Sequence, residues 1–173
     1  QKMTHLDAID GQRTPRIIVS VWTAAYCASC FQIAIVKVAS ATDGAERVDE
    51  ELGVIRVPKI VCAAAAGRII NPKTARSQIL GGVVMGLGMA LHEEAMTDHR
   101  LGKIMNHNLA EYHIPAHADV EDIEVISIMA SPIGVKGLGE IGIVGTAAAV
   151  ANAIFHATGR RFRDFPITID KLI

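Results

Sequence analysis

Aromatic residues are scarce in this chain: one Trp, two Tyr and four Phe make up 4% of 173 residues. A core filled by rings is therefore excluded, and the abundant alanine and glycine point to backbones packed closely together, an arrangement that usually needs neighbouring protein. Cysteine is equally sparse. Cys27, Cys30 and Cys62 are an odd number, which argues against a disulfide framework. Cys27-Ala-Ser-Cys30 has redox or metal spacing, but no second CxxC completes a four-thiolate site, so both read as ordinary thiols. Charge of one sign is missing too: 17 basic against 18 acidic residues leave a formal charge of −1, with no run of like charges and no basic footprint for nucleic acid. The apolar run Ile79 to Leu91 carries four glycines. It falls short of the ~20 residues a bilayer span requires and is expected to be a buried helix rather than a membrane segment. Gln1 to Asp10 shows neither a basic nor an apolar region of a secretory signal, so the expected compartment is the cytoplasm.

Half of the residues are apolar and 20% charged, enough to bury a substantial core. Phe31 to Val38 and Val54 to Ala63 read as strands rich in β-branched residues, joined through polar turns at Asp43-Gly44 and Asp49 to Gly53. Pro58 is expected to put the second strand at an edge or a bulge. Asn71 can cap and Pro72 can open a helix running toward Glu94, in which Gly82 and Gly86 let another backbone approach. Thr97 to Asn108 reads as polar turns and Glu124 to Met129 as a strand. A last helix from Thr146 stops at Gly159, where Arg160, Arg161 and Arg163 suit the helix dipole. The fold class is α+β, a mixed α/β chain or a piece of a larger assembly. His113 and His117 are separated by Pro115, which spoils the helical geometry for a shared metal, and His92-Glu93-Glu94 is expected to be solvated or at a subunit contact.

The densest signal is Gly134 to Phe155, GVKGLGEIGIVGTAAAVANAIF, where glycines 134, 137, 139, 142 and 145 crowd around the carboxylate Glu140 ahead of an apolar helix. Glycine has no Cβ and tolerates positive φ, so the backbone can come close to something. Three readings are open. Gly137 to Gly142 matches GxGxxG, with Asp164 further along, as in an NAD-type nucleotide site. Against this, Ser131-Pro132-Ile133 breaks the approach, and Glu140 would repel a pyrophosphate. The loop can equally serve only as a tight turn in a cofactorless structural or assembly module, or it can present a catalytic carboxylate.

Lys136-Gly137-Leu138-Gly139-Glu140 followed by an alanine-rich helix resembles the C-terminal signature of the molybdenum-binding large subunit of the xanthine dehydrogenase and aldehyde oxidase family. Gly67 to Pro72, Ser77 to Gly82 and Gly86 to Glu94 resemble its cofactor-contacting helix region, and Asn108 to Pro115 with Asp119-Val120 resembles its substrate-side connection. Arg163 to Thr168 resembles its usual chain ending. These ordered segments divide the chain into residues 1–46, without family resemblance but with room for extra strands, and residues 47–173, a portion of the C-terminal molybdenum-cofactor-binding domain. The family's large subunit is several times longer, so the resemblance implies a C-terminal fragment or a truncated relative, with most of the substrate pocket elsewhere.

What the resemblance implies is specific. The cofactor is a molybdenum pyranopterin, in its molybdopterin cytosine dinucleotide form, and the protein offers molybdenum no side-chain ligand. Gln78 hydrogen-bonds the cofactor through an amide that both donates and accepts. Gly137 and Gly139 bring backbone amides near it, with Leu138 between them, and Lys136 ranks lowest among the contacts. Glu140 is the general base of a hydroxylation whose oxygen comes from water, and burial among Leu138, Ile141 and Ile143 is expected to raise its basicity. The family often reads GEP after the loop; Gly139-Glu140-Ile141-Gly142 here resembles the bacterial aldehyde-oxidising branch, so small aldehydes are the expected substrates, with purines or other N-heterocycles as the second class. Electrons would leave through iron–sulfur clusters and FAD on partner subunits. A homo-oligomer and export borne by a partner to the periplasm are compatible with this scheme. The isolated chain is expected to be inactive.

Overall fold

The structure is a computed structural model that describes residues 18–21, 31–37, 48–49, 52–127, 134–135 and 137–172. Its centre is a four-stranded sheet in the order β1 (Ile18–Val21), β2 (Phe31–Lys37), β5 (Lys59–Ala65), β8 (Asp122–Ser127). β2 runs antiparallel to both β1 and β5, pairing Phe31 with Ala65 and Lys37 with Lys59, while β5 and β8 are parallel with Lys59 opposite Asp122. A parallel pair needs a crossover. Here it contains α1 (Pro72–Leu91) and a small antiparallel ribbon of β6 (Thr97–Asp98) and β7 (Lys103–Ile104).

Pro58 acts differently from the sequence expectation. It lies outside both strands, and the stretch read as one strand divides around it into β4 (Val54–Ile55), which pairs with β3 (Val48–Asp49), and β5. Relieved of the proline, β5 keeps a full set of N–H donors and occupies a central position rather than an edge. Its inward residues Ile60, Cys62 and Ala64 recur at the two-residue period of a strand and are all buried.

Helix α1 starts as its sequence implies. Asn71 Oδ1 accepts from Lys73 N at 3.0 Å and Thr74 N at 3.3 Å, and Pro72 takes the first helical position, where its missing N–H costs nothing. The helix ends at Leu91, short of Glu94, because the chain turns back: the amides of His92 and Glu93 both donate to Gly88 O, at 2.9 and 2.8 Å. Tyr112 Oη then donates to Glu93 Oε2 at 2.9 Å, and this bond holds the phenol above its usual pKa. Glu93 is thus half-buried and engaged within the chain, not simply solvated.

Ile79, Val83, Leu87 and Ala90 of α1 meet Ala149, Val150, Ala153 and Ile154 of α3 (Thr146–Thr158) to form the core against the sheet. α3 lies over β1 and β2, and α1 contacts β8. A helix of four residues, α2 (Ile141–Val144), packs on α1 and leads into α3 through Gly145. Gly159 closes α3 at φ 73°, donating to Phe155 O at 2.7 Å, as a left-handed cap does. The arginines beyond it divide their tasks. Arg160 donates to the carbonyls of Leu172 and Lys171 in the closing helix α4 (Ile169–Leu172), and Arg161 lies 3.8 Å from the Phe155 ring centre and bonds Asn152. Ile167 N donates to Ala90 O at 2.7 Å, fastening the C-terminal segment to the end of α1.

Candidate functional site

The glycine-rich loop is tied to the start of α1 by main-chain bonds. Gly67 and Val135 form an antiparallel bridge, and Arg68 N donates to Gly134 O at 3.0 Å. Gly67 itself is at φ 67°, which turns the chain from β5 toward the Asn71 cap. On the other side, Ile141 N donates to Leu138 O at 3.1 Å and closes a turn over Gly139 and Glu140. Gly139 occupies the first central position of that turn at φ 48°, a backbone that an L side chain adopts only under strain. A Cβ on Gly134, Gly137 or Gly139 would meet nothing within 4 Å, so this side of the loop is open to a ligand's approach.

Between the loop and the first two turns of α1 lies an open cavity of about 470 Å³. Gln78, Leu138 and Gly139 line it together, although sixty residues separate Gln78 from Leu138. Three of the residues expected at a cofactor are thereby brought to one place. Gly137 lies beside them in the loop, and Lys136 falls outside the described residues. Glu140 follows Gly139 directly and stands at the N-cap position of α2 with no capping bond from its side chain. It is exposed, while Leu138 and Ile141 are half-buried. Among the described residues the expected burial of Glu140 among Leu138, Ile141 and Ile143 is not supplied, and Leu138 and Ile141 pack against the core.

Arg68, Thr74 and Val135 also line the cavity; the resemblance reaches Arg68 only as part of the Gly67 to Pro72 segment, and sequence reasoning singles out neither Thr74 nor Val135. A usable signal is present: Asn71, Thr74 and Gln78 follow the three-to-four spacing of one helical face, so a cofactor role for Gln78 implicates the other two. Amide, hydroxyl and guanidinium groups around a glycine-lined opening give donors and acceptors for a polar heterocycle, and Ile69, Ile70 and Leu138 supply apolar walls. The donor set and the open glycine face therefore fit a pterin-sized group.

The nucleotide alternative does not gain from the geometry. Gly142, the last glycine of the GxGxxG match, is buried against α1, where a Cβ would come 2.7 Å from Ile79 O. The helix behind the loop breaks at Gly145 after four residues. A second cleft of about 490 Å³ joins Gly53–Ile55 to the C-terminal segment and includes His92, His113 and Asp119. Among the described residues no three His, Cys, Asp or Glu side chains gather as a metal site. Cys27 and Cys30 lie outside the described residues, whereas Cys62 is buried in the core.

Comparison with known proteins identifies relatives of the chain. The chain is 50% identical over 131 residues to the aldehyde oxidoreductase molybdenum-binding subunit PaoC of Escherichia coli, covering 73% of this chain and 18% of that protein. It is 36% identical over 129 residues to the putative xanthine dehydrogenase molybdenum-binding subunit XdhA of the same organism, covering 72% of this chain and 17% of that one. The aldehyde oxidoreductase of Desulfovibrio desulfuricans superimposes with a TM-score of 0.69 at 28% identity, over 83% of this chain and 15% of that structure. The chain thus spans under a fifth of the length of these relatives. The model of the molybdopterin cofactor-binding domain matches residues 31–121, a stretch that opens with β2 and takes in β5, the Asn71 cap and all of α1. Since that match spans more than half of the sequence, the chain belongs to the molybdopterin cofactor-binding domain family.

Proposed function

We propose that this chain is the C-terminal, cofactor-contacting portion of a molybdenum hydroxylase that oxidises aldehydes with oxygen taken from water, and that it acts only together with further protein. One observation carries the reading: the cavity unites Gln78, Leu138 and Gly139 beside Glu140 in a chain of the molybdopterin-binding family. When bound, a molybdenum pyranopterin supplies the redox chemistry, and its cytosine dinucleotide form is the one we assign. Gln78 holds it by donating and accepting through one amide, and Gly137 and Gly139 let main-chain amides come near it. Leu138 walls the site on the apolar side, and Lys136 completes the loop. Glu140 takes a proton as general base. Its present exposure is the state of one wall, and the rest of the large subunit supplies the covering that a base in a dry pocket needs. Electrons leave through iron–sulfur and flavin partner subunits.

Aldehydes are preferred over purines because the 50% identity to an aldehyde oxidoreductase subunit exceeds the 36% to a xanthine dehydrogenase subunit. N-heterocycles form the second class, and quinoline 2-oxidoreductase of Pseudomonas putida shares the fold at a TM-score of 0.67 with 28% identity. The test is Glu140→Gln in the complete enzyme, which keeps the shape and removes the base. Turnover is expected to fall by about 10²- to 10⁴-fold with molybdenum and pterin content unchanged. Unchanged turnover would remove Glu140 from the mechanism, and faster oxidation of purines than of aldehydes by the unaltered enzyme would reverse the substrate assignment.

A further inference from the structure

Where α2 crosses α1, two main chains touch with no side chain between them. A Cβ on Gly82 would lie 2.8 Å from Gly142 Cα and 3.0 Å from Ile143 N. From the other side, a Cβ on Gly142 would lie 2.7 Å from Ile79 O and 3.2 Å from Gly82 Cα. Every one of these obstructing atoms is backbone and cannot rotate aside. Both glycines are helical, so their identity answers to space and not to an unusual φ. One turn further along α1, a Cβ on Gly86 would meet Thr146 Cβ at 2.6 Å, and the buried Thr146 donates its hydroxyl to Gly142 O at 2.8 Å. α2 is thus held against α1 from both of its ends.

The functional loop hangs on this contact. Glu140 is two residues before Gly142, a span of at most about 7 Å, and Ile143 N donates to Glu140 O at 3.0 Å. Gln78 is one helical turn before Gly82 on the same rigid helix. We propose that Gly82 and Gly142 are positioning residues that set Glu140 relative to Gln78, and hence the general base relative to the cofactor, through direct backbone contact. This rests on the reading of Glu140 as base and of Gln78 as a cofactor contact. The two glycines touch neither substrate nor cofactor; they act through the loop. Inserting one methyl group at either position requires α2 to retreat by on the order of an ångström, a displacement sufficient to cost about 10²-fold in rate when a reacting group moves with it.

The experiment compares Gly82→Ala, Gly142→Ala and Glu140→Gln in the complete enzyme, with turnover expressed per bound molybdenum. Both alanine variants are expected to lower kcat by about 10²-fold with KM changed less than about threefold and molybdenum content retained. Thr146→Val, nearly the same in shape, guards against variants that do not fold. It removes only the hydroxyl bonded to Gly142 O, and a several-fold fall in kcat at constant KM is expected from it. Full kcat per molybdenum in the variants that fold, Thr146→Val included, overturns the positioning role, even where total activity falls with cofactor loss. If Glu140→Gln is inactive in that same series, the general-base reading survives and the positioning inference alone fails. Turnover persisting in Glu140→Gln overturns both, since there would be no base to position.

Discussion

Gly139 and Gly142 are three residues apart and are glycine for different physical reasons. Gly139 is at φ 48° with empty space beside it, so conformation requires it; Gly142 has helical backbone and a neighbouring main chain, so space requires it. Gly139→Ala should therefore strain the turn by about 1–2 kcal/mol and lower both the melting temperature and the molybdenum content of the complete enzyme, measured by thermal scanning and metal analysis. An unchanged molybdenum content would show that the turn's conformation is not needed to hold the cofactor. The sequence displays the row of glycines around Glu140, and the family resemblance adds Gln78. It does not sort the glycines, because that depends on what lies opposite each one. The described residues do not bury Glu140 for a similar reason: apolar neighbours in sequence bury a side chain only when they face it, and Leu138 and Ile141 pack against the core instead.

Among the elements, β5 and α1 carry the site, and they were legible to different degrees. The helix announces its start through Asn71-Pro72, a purely local signal. Its end at Leu91 was not legible, since the stop comes from Glu93 returning over Gly88 to a tyrosine nineteen positions away. Strand β5 was legible as a strand but not as a central one, because partners in a sheet are chosen by tertiary pairing. Lys59 marks its parallel register with β8, reaching Glu124 at 3.0 Å and Asp122 at 3.3 Å. The hydrogen bonds to Glu124 first and Asp122 second raise the Lys59 pKa above 10.5. A raised lysine pKa contributes stability that is fully present below pH 10.5 and is lost as the pH climbs through the folded value. Lys59→Ala should thus cost about 0.2–1 kcal/mol at neutral pH, the range for half-exposed pairs, and flatten the loss of stability above that window in denaturant melts. A variant that melts like the parent at neutral pH and keeps the alkaline loss would deny the pairs any role.

For the whole molecule, the central fact is that the described residues give the site one wall. The cavity is open, Glu140 and Gln78 are exposed, and relatives are more than five times longer than the matched stretch. The isolated chain should show no aldehyde oxidation and no tight, saturable binding of molybdopterin, because a cofactor covered on one side keeps its other side in water. Calorimetric titration with the extracted cofactor checks this, and saturable binding would mean that no further protein is required to hold the group. The cavity and its main-chain ties to Gly67 and Gly134 emerge only from the folded chain, since nothing local to either segment identifies the other.

The parallel pairing of β5 with β8 also has a consequence for how the protein is made. β5 leaves the ribosome with β2 already available on one side, but its other neighbour, Asp122–Ser127, is synthesised nearly sixty residues later. Until then the hydrogen-bonding rim of an alanine-rich apolar strand stands uncovered, the kind of edge that invites association between nascent chains. Lys59, at the head of that strand, puts a positive charge on the rim during the wait and meets its acidic partners only when β8 arrives. The side chain that marks the parallel register of the finished sheet thus carries its charge without its β8 partners until that strand is made.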